Sequence, residues 1–314
     1  MTARILFVAL LLAVPGAGRT ANVGVGYGES LLVLTSARQA GTGGLALEDP
    51  WRQGTMMEAN SVLYTSGLKW VGVGGQGGLG SWLRLGGEAF VFQGPSEART
   101  VEFSDGSYGG QSGNTSAQEW GGRLEAQWTG LSAGAWRVAA LGRASGIWQK
   151  LPDAAHLGGA LEAGAQAQRV IGTGQALTAW ALAGPLGGGA GYLTAWRVEV
   201  GAGWLEKLAD GFFLPGPEGY GFGAEGAFLS EGLGQGGAGA LYWFGDPSDE
   251  GVTLFIRAGV RYQEMSAQVT QPRGGIGILW RGAGMPGFQF DYALAPLGAL
   301  GLMHYGTLAM RLTP

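Results

Sequence analysis

The sequence predicts an all-β protein, a transmembrane antiparallel β-barrel of about 14 strands carrying an N-terminal plug or hatch segment. Three observations carry that expectation. Apolar and polar residues alternate with period two over long stretches, and the apolar faces begin and end in tryptophan. An export signal precedes them, and no later run is apolar and long enough for a membrane helix.

The signal occupies residues 1–18. Arg4 is followed by the apolar run Ile5–Val14, then by Pro15 and the small residues Gly16-Ala17-Gly18. A positive charge, a short apolar core and a small-residue exit, in that order, mark a cleaved secretory leader. The run is too short for the ~20 residues that a spanning helix requires. The most apolar stretch beyond it, Ala176–Trp196, is interrupted by Gly184-Pro185 and by Gly187-Gly188-Gly189. Crossing then falls to strands, and these must close on themselves because lipid offers no partner to an open sheet edge.

Composition narrows the class further. Glycine accounts for 64 of 314 residues, roughly three times the usual ~7%. It shows no period of three, which excludes collagen, and it is accompanied by 12 Trp, 12 Phe and 9 Tyr, an apolar load foreign to disordered chains. Charged residues make up 13% of the chain, well below the ~25% of soluble domains, as suits an exterior that faces outer-membrane lipid. A net charge of −4 gives no basis for binding nucleic acid. Arginine dominates the basic residues, and only Lys69, Lys150 and Lys207 are lysines; the guanidinium is the better partner in low-dielectric ion pairs. The absence of cysteine removes disulfides, thiol nucleophiles and cysteine-based metal sites.

After the leader, residues 19–67 are expected to form an N-terminal strand and the plug or hatch, and residues 68–314 the barrel. Within the barrel, Trp120, Gly122, Leu124, Ala126 and Trp128 lie on one face, opposite Gly121, Arg123, Glu125 and Gln127. Trp196, Val198, Val200, Ala202 and Trp204 repeat the pattern against Arg197, Glu199, Gly201 and Gly203. Trp120, Trp128, Trp196 and Trp204 thus propose an aromatic girdle. Eight residues at ~3.3 Å each span roughly 26 Å along the strand, about 20 Å once tilted by ~40°, near the ~25 Å apolar band of such barrels. Similar alternation runs through Leu161–Ala167, Val252–Tyr262 and Phe288–Leu294. Turn-rich connections are expected at Gln93–Ser116, Leu151–His156, Lys207–Glu218 and Asp246–Glu250.

The polar faces would gather Arg84, Arg123, Arg137, Arg143, Arg197, Arg257, Arg261 and Arg311 with Glu88, Glu125, Glu162, Glu199, Glu225 and Asp291. So balanced a set predicts a lumen crossed by ion pairs rather than a pore selective for one sign of ion. Chemistry beyond this is scarce. His156 and His304 have no metal-like or nucleophile-like partner at a known spacing, and a structural hydrogen bond is the better reading of His304. Gly41-Thr42-Gly43-Gly44 lacks the Lys-Ser/Thr that a phosphate loop requires. Asp49 and Asp291 are carboxylates without a catalytic partner, and Asp291 suits an ion pair with a lumen arginine. The chain reads as a non-enzyme needing no cofactor and no metal.

The segment around Phe290-Asp291-Tyr292-Ala293-Leu294-Ala295-Pro296-Leu297-Gly298-Ala299-Leu300-Gly301, followed by His304 and a strand ending at Arg311-Leu312, resembles the closing hairpin of the PorV/PorQ family. Those proteins are outer-membrane barrels related in fold to FadL. The matching positions are Asp291, Tyr292, Ala293, Pro296, Leu297, Gly298, Leu300, Gly301 and His304. Ala37-Arg38-Gln39-Ala40-Gly41-Thr42-Gly43-Gly44 is similar to the family's N-terminal Ala-Arg-x-x-Gly-Met-Gly-Gly, and Ile256–Tyr262 to its Leu-Arg-x-Gly-Tyr strand. The family's Asn-Pro-Ala-Gly-Leu element is reduced here to Thr65-Ser66-Gly67-Leu68, and its terminal Phe to Leu312.

The resemblance implies a role in protein export or surface attachment beside a type IX-like secretion system, with secretion-system proteins or secreted cargo as partners. The alternative is a FadL-like channel for a hydrophobic ligand, with Met56-Met57 and Leu63-Tyr64 lining a pocket between hatch and wall. A structural barrel without a transport task is the third reading.

Overall fold

The computed structural model describes residues 36–42, 55–64, 69–93, 97–102, 108–115, 118–150, 155–172, 174–187, 195–209, 211–229, 234–264, 268–296 and 301–312. The export signal, most of the hatch, Asp49, and Leu297, Gly298 and Leu300 of the closing hairpin lie outside them. So do the reduced element at 65–68 and the glycines at 43–44.

Among the described residues, sixteen strands follow a short helix, α1 (Ala37–Gly41). They are β1 (Thr55–Tyr64), β2 (Lys69–Leu79), β3 (Leu83–Gln93), β4 (Glu97–Glu102), β5 (Tyr108–Thr115), β6 (Gln118–Ala133), β7 (Trp136–Lys150) and β8 (Ala155–Ile171). The rest are β9 (Gln175–Gly187), β10 (Ala195–Leu208), β11 (Glu218–Leu229), β12 (Gly234–Phe244), β13 (Gly251–Glu264), β14 (Gln268–Arg281), β15 (Gly287–Pro296) and β16 (Leu302–Leu312). Fourteen of them pair antiparallel with their neighbours and close into a barrel when β1 meets β16. The other two, β4 and β5, form a separate hairpin inside the Gln93–Ser116 connection, which the sequence predicts to be only turn-rich.

The wall begins earlier than the expected boundary at residue 68. β1 stands between β16 and β2, with Thr55 opposite Leu312 and Val62 opposite Trp70. Its inner face, Met56, Glu58, Asn60, Val62 and Tyr64, mixes apolar and polar side chains, so the period-two contrast that marks the other strands is blurred here. The same alternation divides the two residue pairs proposed to line a pocket. Met57 and Leu63 point outward and are exposed, whereas Met56 is buried on the inner face.

Elsewhere the pleat sorts residues as period two requires. Trp120, Leu124 and Trp128 are exposed on β6, as are Trp196, Val198 and Val200 on β10. On β13, Val252, Leu254, Ile256 and Val260 are exposed while Thr253, Phe255, Arg257 and Arg261 are buried. A closed sheet with an apolar outer face leaves no edge for lipid to face. The short turns β2–β3, β6–β7, β8–β9, β12–β13 and β14–β15 lie at one rim with the longer β10–β11 connection, and both the start of β1 and the end of β16 lie at that same rim. We call it the turn end, and the opposite rim the loop end.

The glycine content has a packing reason. Trp180, Phe90 and Trp243 lie over the cross-strand glycines Gly201, Gly121 and Gly219, where an added Cβ would sit 2.2, 2.4 and 2.1 Å from a ring carbon. Aromatic rings on the inner wall thus lie flat against a neighbouring strand that has no side chain in the way. Replacing the lipid-facing Leu124 (68% exposed) with arginine should destabilise the barrel by about 2–4 kcal/mol, the cost of a guanidinium near the bilayer midplane. Reversible unfolding in lipid vesicles measures this. An equal cost for Leu124→Ala would show that the site does not face lipid.

Candidate functional site

The lumen carries two apolar clusters with charged groups between them. Val62, Trp70, Phe90, Ile147, Ala160, Ala293, Ala295, Met303 and Tyr305 form the first, toward the loop end of β1–β3, β7, β8, β15 and β16, with Trp70 and Phe90 stacked at 5.6 Å. Leu205, Trp243, Phe255 and Leu279 form the second, at the turn end of β10 and β12–β14.

Between them run the ion pairs. Arg143 reaches Glu125 and Glu162 at 3.4 Å each and Glu199 at 3.9 Å. Arg197 meets Glu162 at 3.4 Å and Glu199 at 2.6 Å. Arg143, Glu162, Arg197 and Glu199 therefore form a closed ring of alternating charge spanning β7 to β10. Arg123 pairs with Glu88 at 3.9 Å and Arg261 with Glu225 at 3.2 Å. Apart from Arg197 and Glu199, two residues apart on β10, each of these contacts joins different strands and so comes from register rather than from sequence proximity.

Arg257 and Asp291 meet at 2.7 Å although β14 runs between their strands. Gly277 of β14 makes this possible: an added Cβ would lie 2.1 Å from an Asp291 carboxylate oxygen and 2.8 Å from an Arg257 nitrogen. Asp291 is fully buried and also accepts two bonds from the Gln289 amide, at 3.0 and 2.8 Å. Arg311 donates to Gln289 at 2.6 Å. Arg84 and Arg137 occupy inner-face positions near the turn end, and neither joins an ion pair among the described residues. His304, at an outward position of β16, bonds through Nδ1 to the Tyr292 hydroxyl at 2.7 Å.

Helix α1 sits inside the barrel against β13–β16. Ala37 and Ala40 have no exposed surface, and their small side chains allow the helix to lie directly on the wall. A bond circuit fixes it there. The Ala37 N–H, an orphan at a helix start, donates to Thr307 Oγ1 at 2.9 Å, and that hydroxyl donates to Asn60 Oδ1 at 2.7 Å. Asn60 Nδ2 donates to Glu58 at 3.1 Å, and Arg38 closes the circuit on Glu58 while approaching Asp291 at 3.8 Å. At the other end of the helix, Thr42 abuts Gly239 of β12, where a Cβ would meet the Thr42 carbonyl at 2.2 Å. Arg38, Glu58, Asn60, Thr307 and Arg273 are lumen residues that period-two reading missed. In the sequence the Ala37-Arg38 segment is marked only by its family resemblance.

At the turn end, Lys207 bonds to Asp246. Burial alone would raise the Asp246 carboxyl, but hydrogen bonds from Lys207 and the Ser248 N–H outweigh it and hold the group below its ordinary value of 3.8.

These features define a closed 14-strand barrel of outer-membrane type with a short helix and cross-strand ion pairs in its lumen. No protein-family profile matches the chain, and no curated protein matches its sequence. Solved structures do. The toluene transporter TbuX of Ralstonia pickettii superposes with a TM-score of 0.53 at 10% identity, over 89% of this chain and 98% of that one. A deletion mutant of TodX, a monoaromatic hydrocarbon channel, gives 0.52 at 8% identity, over 88% and 97%. CdiB from Acinetobacter baumannii gives 0.51 at 7% identity over 82% of this chain, which spans only 60% of CdiB. At such identities the likeness shows the fold, and a 14-strand barrel fits the FadL-like architecture.

Three outcomes test the lumen and the rim. Glu162→Ala leaves Arg143 and Arg197 short of a partner and should cost about 3–5 kcal/mol, read by urea unfolding against wild type. Thr307→Val strands the Ala37 N–H and should cost about 1–3 kcal/mol, with faster hydrogen exchange in α1. Asp246 stabilises the fold above pH 3.8, and that contribution is lost as pH falls through its depressed folded value. Asp246→Asn should flatten the acid limb of the unfolding profile, and an unchanged limb would remove Asp246 from it.

Proposed function

We propose that the protein is an outer-membrane channel for a small hydrophobic molecule, with α1 as part of the internal barrier. The observation that supports this best is the lumen itself. It offers an aromatic and aliphatic cluster at the loop end, and a charged zone whose acids and bases are largely paired with one another. Paired charges present little free field to a permeating ion, whereas the apolar cluster can shed water onto an apolar solute. The side chains proposed for this role are Trp70, Phe90, Ile147, Met303 and Tyr305, which are buried against one another and against Ala37 and Ala40 of α1. The ion pairs among Arg123, Arg143, Arg197, Arg257 and Arg261 and their acids stiffen the wall around them.

The fold likeness to TbuX and TodX agrees with this reading, since both are channels or transporters of aromatic hydrocarbons by their own descriptions. A barrel serving protein export, beside a type IX-like system, rests on the resemblance of the closing hairpin and of the Ala37–Gly44 segment. An unchanged set of secreted and surface proteins after gene deletion argues against it.

Cells expressing the chain should accumulate labelled toluene faster than cells carrying the empty vector. Arg38→Ala combined with Thr307→Val, which unlatches α1, should raise passive conductance in planar bilayers without strong preference for either sign of ion. Toluene entry equal to the vector control, with a correctly inserted barrel, would overturn the uptake reading. Strong selectivity for one sign would overturn the balanced lumen.

A further inference from the structure

The connection between β10 and β11 carries Phe212, Phe213 and Leu214 side by side, and they are 81, 66 and 54% exposed. Three adjacent large apolar side chains held in the open at the rim of a soluble surface would be costly. Here the backbone beneath them is built to stay in place. The Glu218 carboxylate, itself 1% exposed, accepts the backbone N–H groups of Phe212 at 2.7 Å, Phe213 at 3.1 Å and Leu214 at 2.6 Å. The Tyr242 hydroxyl donates to the same carboxylate. Gly211 gives it room: a Cβ there would lie 1.9 Å from the Leu214 carbonyl and 2.7 Å from the carboxylate carbon. Pro215 and Pro217 follow, and proline has no N–H to satisfy.

The direction of the loop is equally defined. Phe213 packs edge-on against Tyr242 at 5.3 Å, and Tyr242 in turn lies against Phe244 at 5.0 Å. Register places Tyr242 opposite Tyr220 on β11, two residues from the outward, exposed Phe222. The loop therefore folds onto the outer face of the wall and does not cross the lumen. Trp82, Met285 and the stacked pair Trp280–Phe288 stand exposed at the same end of the barrel. Nearby, Trp204 Nε1 and the Tyr220 hydroxyl both donate to Glu206, at the depth where aromatic side chains meet polar groups.

We propose that Phe212, Phe213 and Leu214 form a wedge that inserts into the headgroup–acyl boundary of the lipid leaflet at the turn end, the inner leaflet in barrels of this kind. The occupant is glycerophospholipid, because the patch continues the lipid-facing wall. Its three backbone donors are also satisfied internally, as an apolar medium demands of any backbone that enters it. The wedge anchors the rim at a set depth and tilt. Glu218 is its positioning residue.

The chain has no cysteine, so a single introduced one carries a unique probe. Phe213→Cys, labelled with a nitroxide in the full chain and reconstituted in phosphatidylcholine–phosphatidylglycerol vesicles, is compared with the mid-wall Leu124→Cys and the turn residue Ala135→Cys. Heat-modifiable migration verifies folding, and Phe212→Cys replaces any variant that fails it. The label at 213 should collide with a water-soluble nickel chelate several-fold less than that at 135, and with oxygen nearly as often as that at 124. Adding Glu218→Ala should raise its nickel accessibility and its mobility. Nickel accessibility equal to that at Ala135 would overturn the wedge and leave the patch as a surface for a soluble protein. A label whose depth and mobility ignore Glu218→Ala would overturn the positioning role.

Discussion

Closure of the sheet between β1 and β16 is the constraint on which everything else depends. Lipid cannot satisfy a backbone N–H or C=O, so a wall of strands is tolerable there only when its first and last members pair. Thr55–Tyr64 pairing with Met303–Leu312 removes the two edges that the other pairings would leave. Closure also creates an inside. Once there is an inside, the polar half of each alternating strand has to be satisfied within it.

The lumen meets that demand in two ways. Charged groups are matched across strands, most completely in the ring of Arg143, Glu162, Arg197 and Glu199, so that no buried charge in the ring faces the interior without an opposite one. Apolar and aromatic groups lie over glycine. Where a pair must reach across an intervening strand, as Arg257 and Asp291 do across β14, glycine again supplies the gap. The same residue type thus serves both chemistries. Helix α1 then fits against the finished inner wall, tied by polar contacts to β1, β15 and β16. The wall and α1 accordingly share residues: Asp291 serves both the wall pair with Arg257 and the approach of Arg38.

Particular elements show why some of this was legible in the chain and some was not. β6, β10, β13 and β15 were readable because alternation is a local property, and a lipid-facing wall makes the contrast between its faces strong. β1 was not, since its inner face holds Met56 and Val62 beside Glu58 and Asn60 and so lacks that contrast. The β4–β5 hairpin lies in a stretch without a lipid-facing stripe, and its composition resembles that of any polar connection. Helix α1 is too short for a helical period to emerge, and its stability comes from the wall rather than from propensity.

By itself the sequence determined the class of protein: which residues face lipid, which face inward, and that the strands must close. These follow from composition and from a two-residue period, both properties of neighbouring residues. Only the tertiary structure decided who meets whom. The partners of Arg143, Arg257 and Arg38 are set by strand register and by the return of a distant segment into the lumen. The wedge at Phe212–Leu214 combines a local carboxylate, Glu218, with Tyr242 of the neighbouring strand, which sets it against the wall. The opening expectation of a closed barrel therefore came from local chemistry. What that barrel holds and how its rim is anchored came from contacts between residues far apart in the chain.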